Sequence, residues 1–173
     1  DYGHITLGAH SPDMAGRIAA IASDFRAAGV PCEILPDLGA ARWRKLVWNI
    51  PYNGLCTILD ATTDRIMGEP ATRALARAVM EEVVAGAAAC GHTLEPECIG
   101  TMLDYTEKMK PYAPSMLLDR RGGRPLEVEY LYRRPLGAAA ARGVALPRIA
   151  VLEAQLSFLS PAPLSPRPQV DAR

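Results

Sequence analysis

Apolar and polar positions change their period once along the chain, near residue 37, and that change sets the first expectation. Before it, HITLGAH alternates as a half-buried strand does, and VPCEILPD reads as a second short strand. Between them, SPDMAGRIAAIASDFRAAG has a serine at the cap position, a proline in the first turn and a closing Gly29, which is the punctuation of a helix. The three pieces predict a β-α-β unit. Two strands cannot bury both faces of a sheet, so the unit is expected to belong to a larger α/β sheet, with this chain as its C-terminal part.

After Asp37, a helix-cap residue, the period becomes helical and stays so. LGAARWRKLVWNIPYNGLCTIL repeats apolar residues at helical spacing. EPATRALARAVMEEVVAGAAACG places Pro70 in its first turn, stacks Leu75, Val79 and Val83 at steps of four, and stops at Gly91. EPECIGTMLDYTEKM, PLEVEYLYRRPLGAAAARG and PRIAVLEAQLSFL predict three more helices, the second kinked at Pro135. The last stretch, SPAPLSPRPQVDAR, has four prolines among polar residues and is expected to be a loose tail. The expected layout is a parallel α/β remnant over 1–37, an all-helical domain over 38–160 and a flexible tail over 161–173. In such two-domain layouts ligands sit in the cleft between domains, near the carboxyl ends of strands, within reach of the first helix after the last strand.

Composition narrows the chemistry without fixing it. The 173 residues are 49% hydrophobic and 22% charged, ordinary for a globular chain. Lys plus Arg and Asp plus Glu both number 19, so neither nucleic acid nor an anionic membrane is indicated as a partner, and a small ligand fits better. Cys32, Cys56, Cys90 and Cys98 form no C-x-x-C pair, and His4, His10 and His92 do not fall at metal-ligand spacing, so reduced thiols and no metal site are expected. No apolar run approaches the roughly 18 residues that a membrane span needs. With no secretory pattern either, the expected location is cytoplasmic.

The candidate chemistry lies on the first long helix. Lys45, Asn49 and Asn53 are four residues apart and form a polar line over about two turns among Leu46, Val47, Trp48, Ile50 and Leu55. An apolar flank would desolvate the lysine toward values useful for proton transfer, and the two amides offer donors and acceptors without charge. Pro51 removes the partner of the Val47 carbonyl and is expected to bend the helix at this line. Spacing alone leaves two readings open, a ligand-facing stripe or the commoner solvated helix face. A second cluster, SMLLDRRGGRPLEVE, carries Ser115, Asp119 and Glu127 around an Arg-Gly-Gly-Arg turn, and taken alone it reads as an exposed charged loop. Together the clusters supply an ammonium, two amides, a hydroxyl and a carboxylate, a set able to bind and protonate a 2-oxo acid.

The order W-x-K-L-x-x-N-x-x-x-N (Trp43, Lys45, Leu46, Asn49, Asn53), then S-x-x-x-D (Ser115, Asp119), then G-R-P-x-E (Gly123, Arg124, Pro125, Glu127), resembles the C-terminal part of ketopantoate reductases, the 2-dehydropantoate 2-reductases. The resemblance runs from about Gly3 to about Leu159. It implies a mainly α chain, the helical C-terminal domain of a two-domain reductase of the 6-phosphogluconate-dehydrogenase-like kind, preceded by the last β-α-β piece of a Rossmann domain that binds NADP. It further implies reduction of 2-dehydropantoate to pantoate for pantothenate and coenzyme A biosynthesis. Lys45 would be the general acid, Asn49 and Asn53 would hold substrate oxygens, and Ser115 would bind the substrate carboxylate. Glu127 would lie at the cofactor and lysine end, and Asp119 would support its loop.

The chain departs from the family pattern at three places. Tyr112 stands where an asparagine is common, and Thr62 or Thr63 replaces another, which bears on the identity of the acid. EYLYRRPLG lacks the usual asparagine-glycine pair. No G-x-G-x-x-G follows a strand, so the chain alone is not expected to bind NADP productively. Two other readings remain: a paralogue reducing another branched 2-oxo acid, and a non-catalytic helical module forming a homodimer through its alanine-rich helix.

Overall fold

The computed structural model describes residues 3–160. Strands β1 (Ile5–Gly8) and β2 (Cys32–Leu35) pair in parallel, Ile5 opposite Cys32 and Gly8 opposite Leu35, and α1 (Ala15–Ala27) connects them. Arg26 Nε donates to the Cys32 carbonyl at 2.9 Å and ties α1 to β2. The expected serine cap differs in detail. Ser11 precedes a 3-10 turn, Pro12–Met14, that leads into α1, and its side chain makes no capping bond.

Eight helices are described, and the rest follow β2 in order: α2 (Leu38–Leu59), α3 (Thr63–Gly68), α4 (Pro70–Ala89), α5 (Cys98–Lys108), α6 (Ser115–Arg121), α7 (Arg134–Ala140) and α8 (Pro147–Leu159). A π-helical segment, Glu129–Arg133, leads into α7. Helix α2 starts where the Asp37 carboxylate accepts from the Ala40 N–H at 2.9 Å, filling one donor of the first turn.

The core forms around the α2 and α4 pair, with Val47, Ile50, Leu55 and Cys56 of α2 packed among Ala76, Val79, Met80 and Val83 of α4. This burial sets the rotation of α2. Turning the helix to bury Lys45 would expose Val47 and Ile50, each worth about 1.5–3 kcal/mol when fully buried, so Lys45 stays at the surface while the polar line sinks into the bundle toward Asn53. The same packing buries Ala76, Val79, Met80, Val83 and Ala87 of α4 within the chain. Leu75 is the exception, 38% exposed rather than stacked under Val79.

Two buried polar contacts lock the bundle. Glu82 of α4 accepts from the Arg148 and Ile149 N–H groups, both at 3.0 Å, and so caps α8, whose own cap residue Leu146 has no side chain to do it. Tyr132 donates its hydroxyl to the Ile50 carbonyl at 2.8 Å, and a Cβ at Gly54 would sit 2.9 Å from that hydroxyl, so the glycine admits the ring.

Two expectations need correction. The irregularity near Pro135 is taken up before it, in a π turn where the Arg134 N–H reaches the Glu129 carbonyl, so the proline sits in the first turn of α7 without breaking it. Ser115 to Arg121 is helical rather than loop, because Met116 and Leu117 are buried and pull it onto the core. Helix α3, six residues long, has too few turns to show a period. The expected tail, 161–173, lies outside the described residues. No described helix is long and apolar enough to cross a membrane.

Candidate functional site

Lys45 lies on the second turn of α2, where that helix leaves the carboxyl end of β2. It lines a cavity of about 750 Å³ whose other walls are Thr6 of β1, Leu35 to Leu38 at the strand-to-helix junction, the segment Thr93–Glu95, and Met102 of α5. The site is thus at the carboxyl end of parallel strands, where open α/β units take their ligands. Lys45 is exposed, which corrects the expectation of an apolar flank: Val47 and Ile50, its neighbours in sequence, point to the opposite side of the helix and into the core. Asp37, at the cavity margin, also bonds His92 Nδ1 at 3.0 Å through Oδ2. Its carboxyl is held below its ordinary value by the Ala40 N–H and then by His92.

The polar line continues away from the cavity. Asn49 is half-buried and Asn53 is 4% exposed, about 12 Å along the axis from Lys45 at 1.5 Å per residue. Asn53 Oδ1 accepts from the Met116 N–H at 3.2 Å, so it tethers the first turn of α6 and brings Ser115 to the α2 line. Ser115 is exposed. A further tie comes from Arg120, which donates to the Thr57 carbonyl, and Arg121 pairs with Asp60 at 2.8 Å. Cys56, one turn beyond Asn53, is no nucleophile: burial, and then the charge of Asp64, pushes its thiol up to about 12.

Glu127 follows the diglycine turn, which Arg124 and Asp119 clamp at 2.7 Å, so Asp119 does support the loop. Leu126 and Val128 are buried on either side of it, which fixes the backbone and leaves the Glu127 carboxylate exposed. Among the described residues, neither Lys45 nor Glu127 enters an ion pair or a side-chain hydrogen bond. The structure therefore ties Asn53 to Met116, the residue after Ser115, with the Ser115 hydroxyl left exposed. It does not join Ser115 or Glu127 to the cavity that Lys45 lines.

The fold is matched by known proteins. Residues 37–160 fit the family model described as ketopantoate reductase PanE/ApbA C terminal. This chain belongs to the ketopantoate reductase family. A 2-dehydropantoate 2-reductase of Nostoc sp. strain PCC 7120 is 50% identical over 164 residues, covering 92% of this chain and 51% of the relative. Crystal structures of 2-dehydropantoate 2-reductases from Geobacter metallireducens GS-15 and Methylococcus capsulatus are 42% and 31% identical, with TM-scores of 0.86 and 0.83. Each aligns over 92% of this chain, and over 54% and 55% of the respective structures. The chain spans about half the length of the relatives it matches.

Within this chain, sequence reasoning missed an aromatic row beside the polar one. Trp48 lies three residues from Lys45 on adjoining helix surface, its ring 5.0 Å from that of Tyr52 and 6.1 Å from that of Tyr112. The indole N–H donates to Thr106 Oγ1 at 3.0 Å. Two departures from the family pattern turn out to touch: the Thr63 N–H donates to the Tyr112 carbonyl at 3.0 Å, and the Tyr112 N–H donates to Thr63 Oγ1 at 3.2 Å. A tryptophan at the third position after Lys45 was the available signal. Its partner, 64 residues further on, was not readable.

Proposed function

We propose that this chain is the substrate-binding and proton-donating portion of an NADP-dependent 2-dehydropantoate 2-reductase, which makes pantoate for pantothenate and coenzyme A. The observation that carries this reading is Lys45 at a 750 Å³ cavity on the carboxyl side of two parallel strands, with Asn49 and Asn53 on the same helix face.

The residues present suit only the reacting end of a dinucleotide. The β1 to α1 connection, residues 9–14 with the 3-10 turn Pro12–Met14, carries no G-x-G-x-x-G turn that would hold a pyrophosphate. Glu127 would border the nicotinamide end. When bound, NADPH supplies the hydride that reduces C2 of the acid.

The chain's own groups do the rest. Negative charge grows on the C2 oxygen as the carbonyl is reduced, and the Lys45 ammonium stabilises it and passes it a proton, giving the 2-hydroxy acid. The Asn49 amide, and the Asn53 NH2 that the Met116 bond leaves free, hold substrate oxygens. The Ser115 hydroxyl takes the carboxylate.

The test is NADPH oxidation by the full-length protein. Oxidation dependent on 2-dehydropantoate, with pantoate as product, supports the reading. No oxidation with any 2-oxo acid overturns it.

A further inference from the structure

Helix α2 is interrupted in the turn that carries Asn53. Pro51 has no N–H, so the Val47 carbonyl lacks its helical donor, and Gly54 is a poor residue for a helix interior because its backbone is free. Lys45 and Asn49 stand before this turn. Asn53 stands in it and carries the first turn of α6 through the Met116 N–H. The set of the turn therefore decides how the two halves of the polar line face one another.

The brace for it comes from elsewhere in the chain. Tyr132, fully buried on the π-helical segment Glu129–Arg133, donates its hydroxyl to the Ile50 carbonyl at 2.8 Å, one residue before the proline. A Cβ at Gly54 would lie 2.9 Å from that hydroxyl, so the glycine that loosens the helix also admits the tyrosine. Tyr132 belongs to EYLYRRPLG, the stretch that departs from the asparagine-glycine pattern, and its segment begins two residues after Glu127. One contact thus ties the segment after Glu127 to the interrupted turn of α2. We infer that Tyr132 is a positioning residue of the reductase, whose hydroxyl sets this turn so that Lys45 meets the C2 oxygen of an acid held by Asn53 and Ser115. The inference rests on the reductase reading and adds to it a buried residue that acts only through α2.

Tyr132→Phe keeps the ring and removes the brace, while the Ile50 carbonyl retains the helical donor four residues on, so the fold survives. In the full-length protein with NADPH, kcat for 2-dehydropantoate should fall roughly tenfold, since small misplacements of reacting groups are costly. KM should change much less, because the holding groups are intact. Gly54→Ala sets a methyl against the hydroxyl and should give a similar fall; its other near neighbour, Leu152 Cδ1 at 3.2 Å, ends a flexible side chain. Because both variants break one contact, the double variant should be no slower than the slower single one. An unchanged kcat per folded molecule in Tyr132→Phe, with the folded fraction read by circular dichroism at the assay temperature, overturns the positioning role. So does a rise in KM at constant kcat, or losses that multiply in the double variant. Each of these leaves Lys45-dependent reduction standing, whereas failure of the unaltered protein to reduce any 2-oxo acid overturns both proposals.

Discussion

Asn53→Ala probes the link between the bundle and the site. The amide is 4% exposed, and its Oδ1 is the acceptor for the Met116 N–H at 3.2 Å, the bond that seats the first turn of α6 on α2. Removing it leaves a buried main-chain donor unpaired, which costs about 1–3 kcal/mol. For a domain of this size each kcal/mol lowers Tm by about 2–4 °C, so a fall of roughly 2–12 °C is expected by circular dichroism. Ser115→Ala, at an exposed hydroxyl with no partner role in the fold, should leave Tm within about 2 °C, since surface changes usually stay within 0.5 kcal/mol. In the full-length protein both substitutions should raise KM for the acid, one by shifting α6 and the other by removing the hydroxyl itself. Wild-type Tm in Asn53→Ala would refute the tether, and equal destabilisation by the two variants would refute the division of labour.

Other predictions concern the frame. Glu82→Gln leaves one of the two α8 N–H groups without its acceptor and should lower stability by about 1–3 kcal/mol in a urea titration; an unchanged midpoint would contradict the capping role. Asp37 has a native value below its ordinary 3.8, so its contribution is present above that pH and is lost as the pH falls through the native value. The Tm gap between wild type and Asp37→Asn should therefore close as the pH drops below 3.8, whereas a gap constant between neutral and acid pH would count against the Asp37, Ala40 and His92 contacts.

Local signals carried much of the fold. Asp37 as a cap fixed the start of α2, and the proline at residue 147 marked that of α8, because each acts on its own first turn. Gly29 and Gly91 ended segments because they take φ of 78° and 83°, which other residues rarely adopt. Short or irregular pieces escaped: α3 and α6 are held by burial of Ile66, Met116 and Leu117 rather than by length, and the π turn before Pro135 answers a tertiary anchor, Tyr132 on Ile50. At the site, the Lys45, Asn49 and Asn53 line was readable because four-residue steps share a face. The partners were not, since Asn53 to Met116 and Thr63 to Tyr112 join residues 63 and 49 apart. Apolar neighbours in sequence also misled about Lys45, because helical geometry sends Val47 and Ile50 away from it.

The most direct measurement is single-turnover reduction of 2-dehydropantoate by the full-length protein carrying Lys45→Ala. A proton donor acting only as charge develops should lower the rate by about 10²–10⁴-fold while substrate affinity changes much less. Wild-type turnover in that variant would contradict Lys45 as the acid and leave α2 as a scaffold.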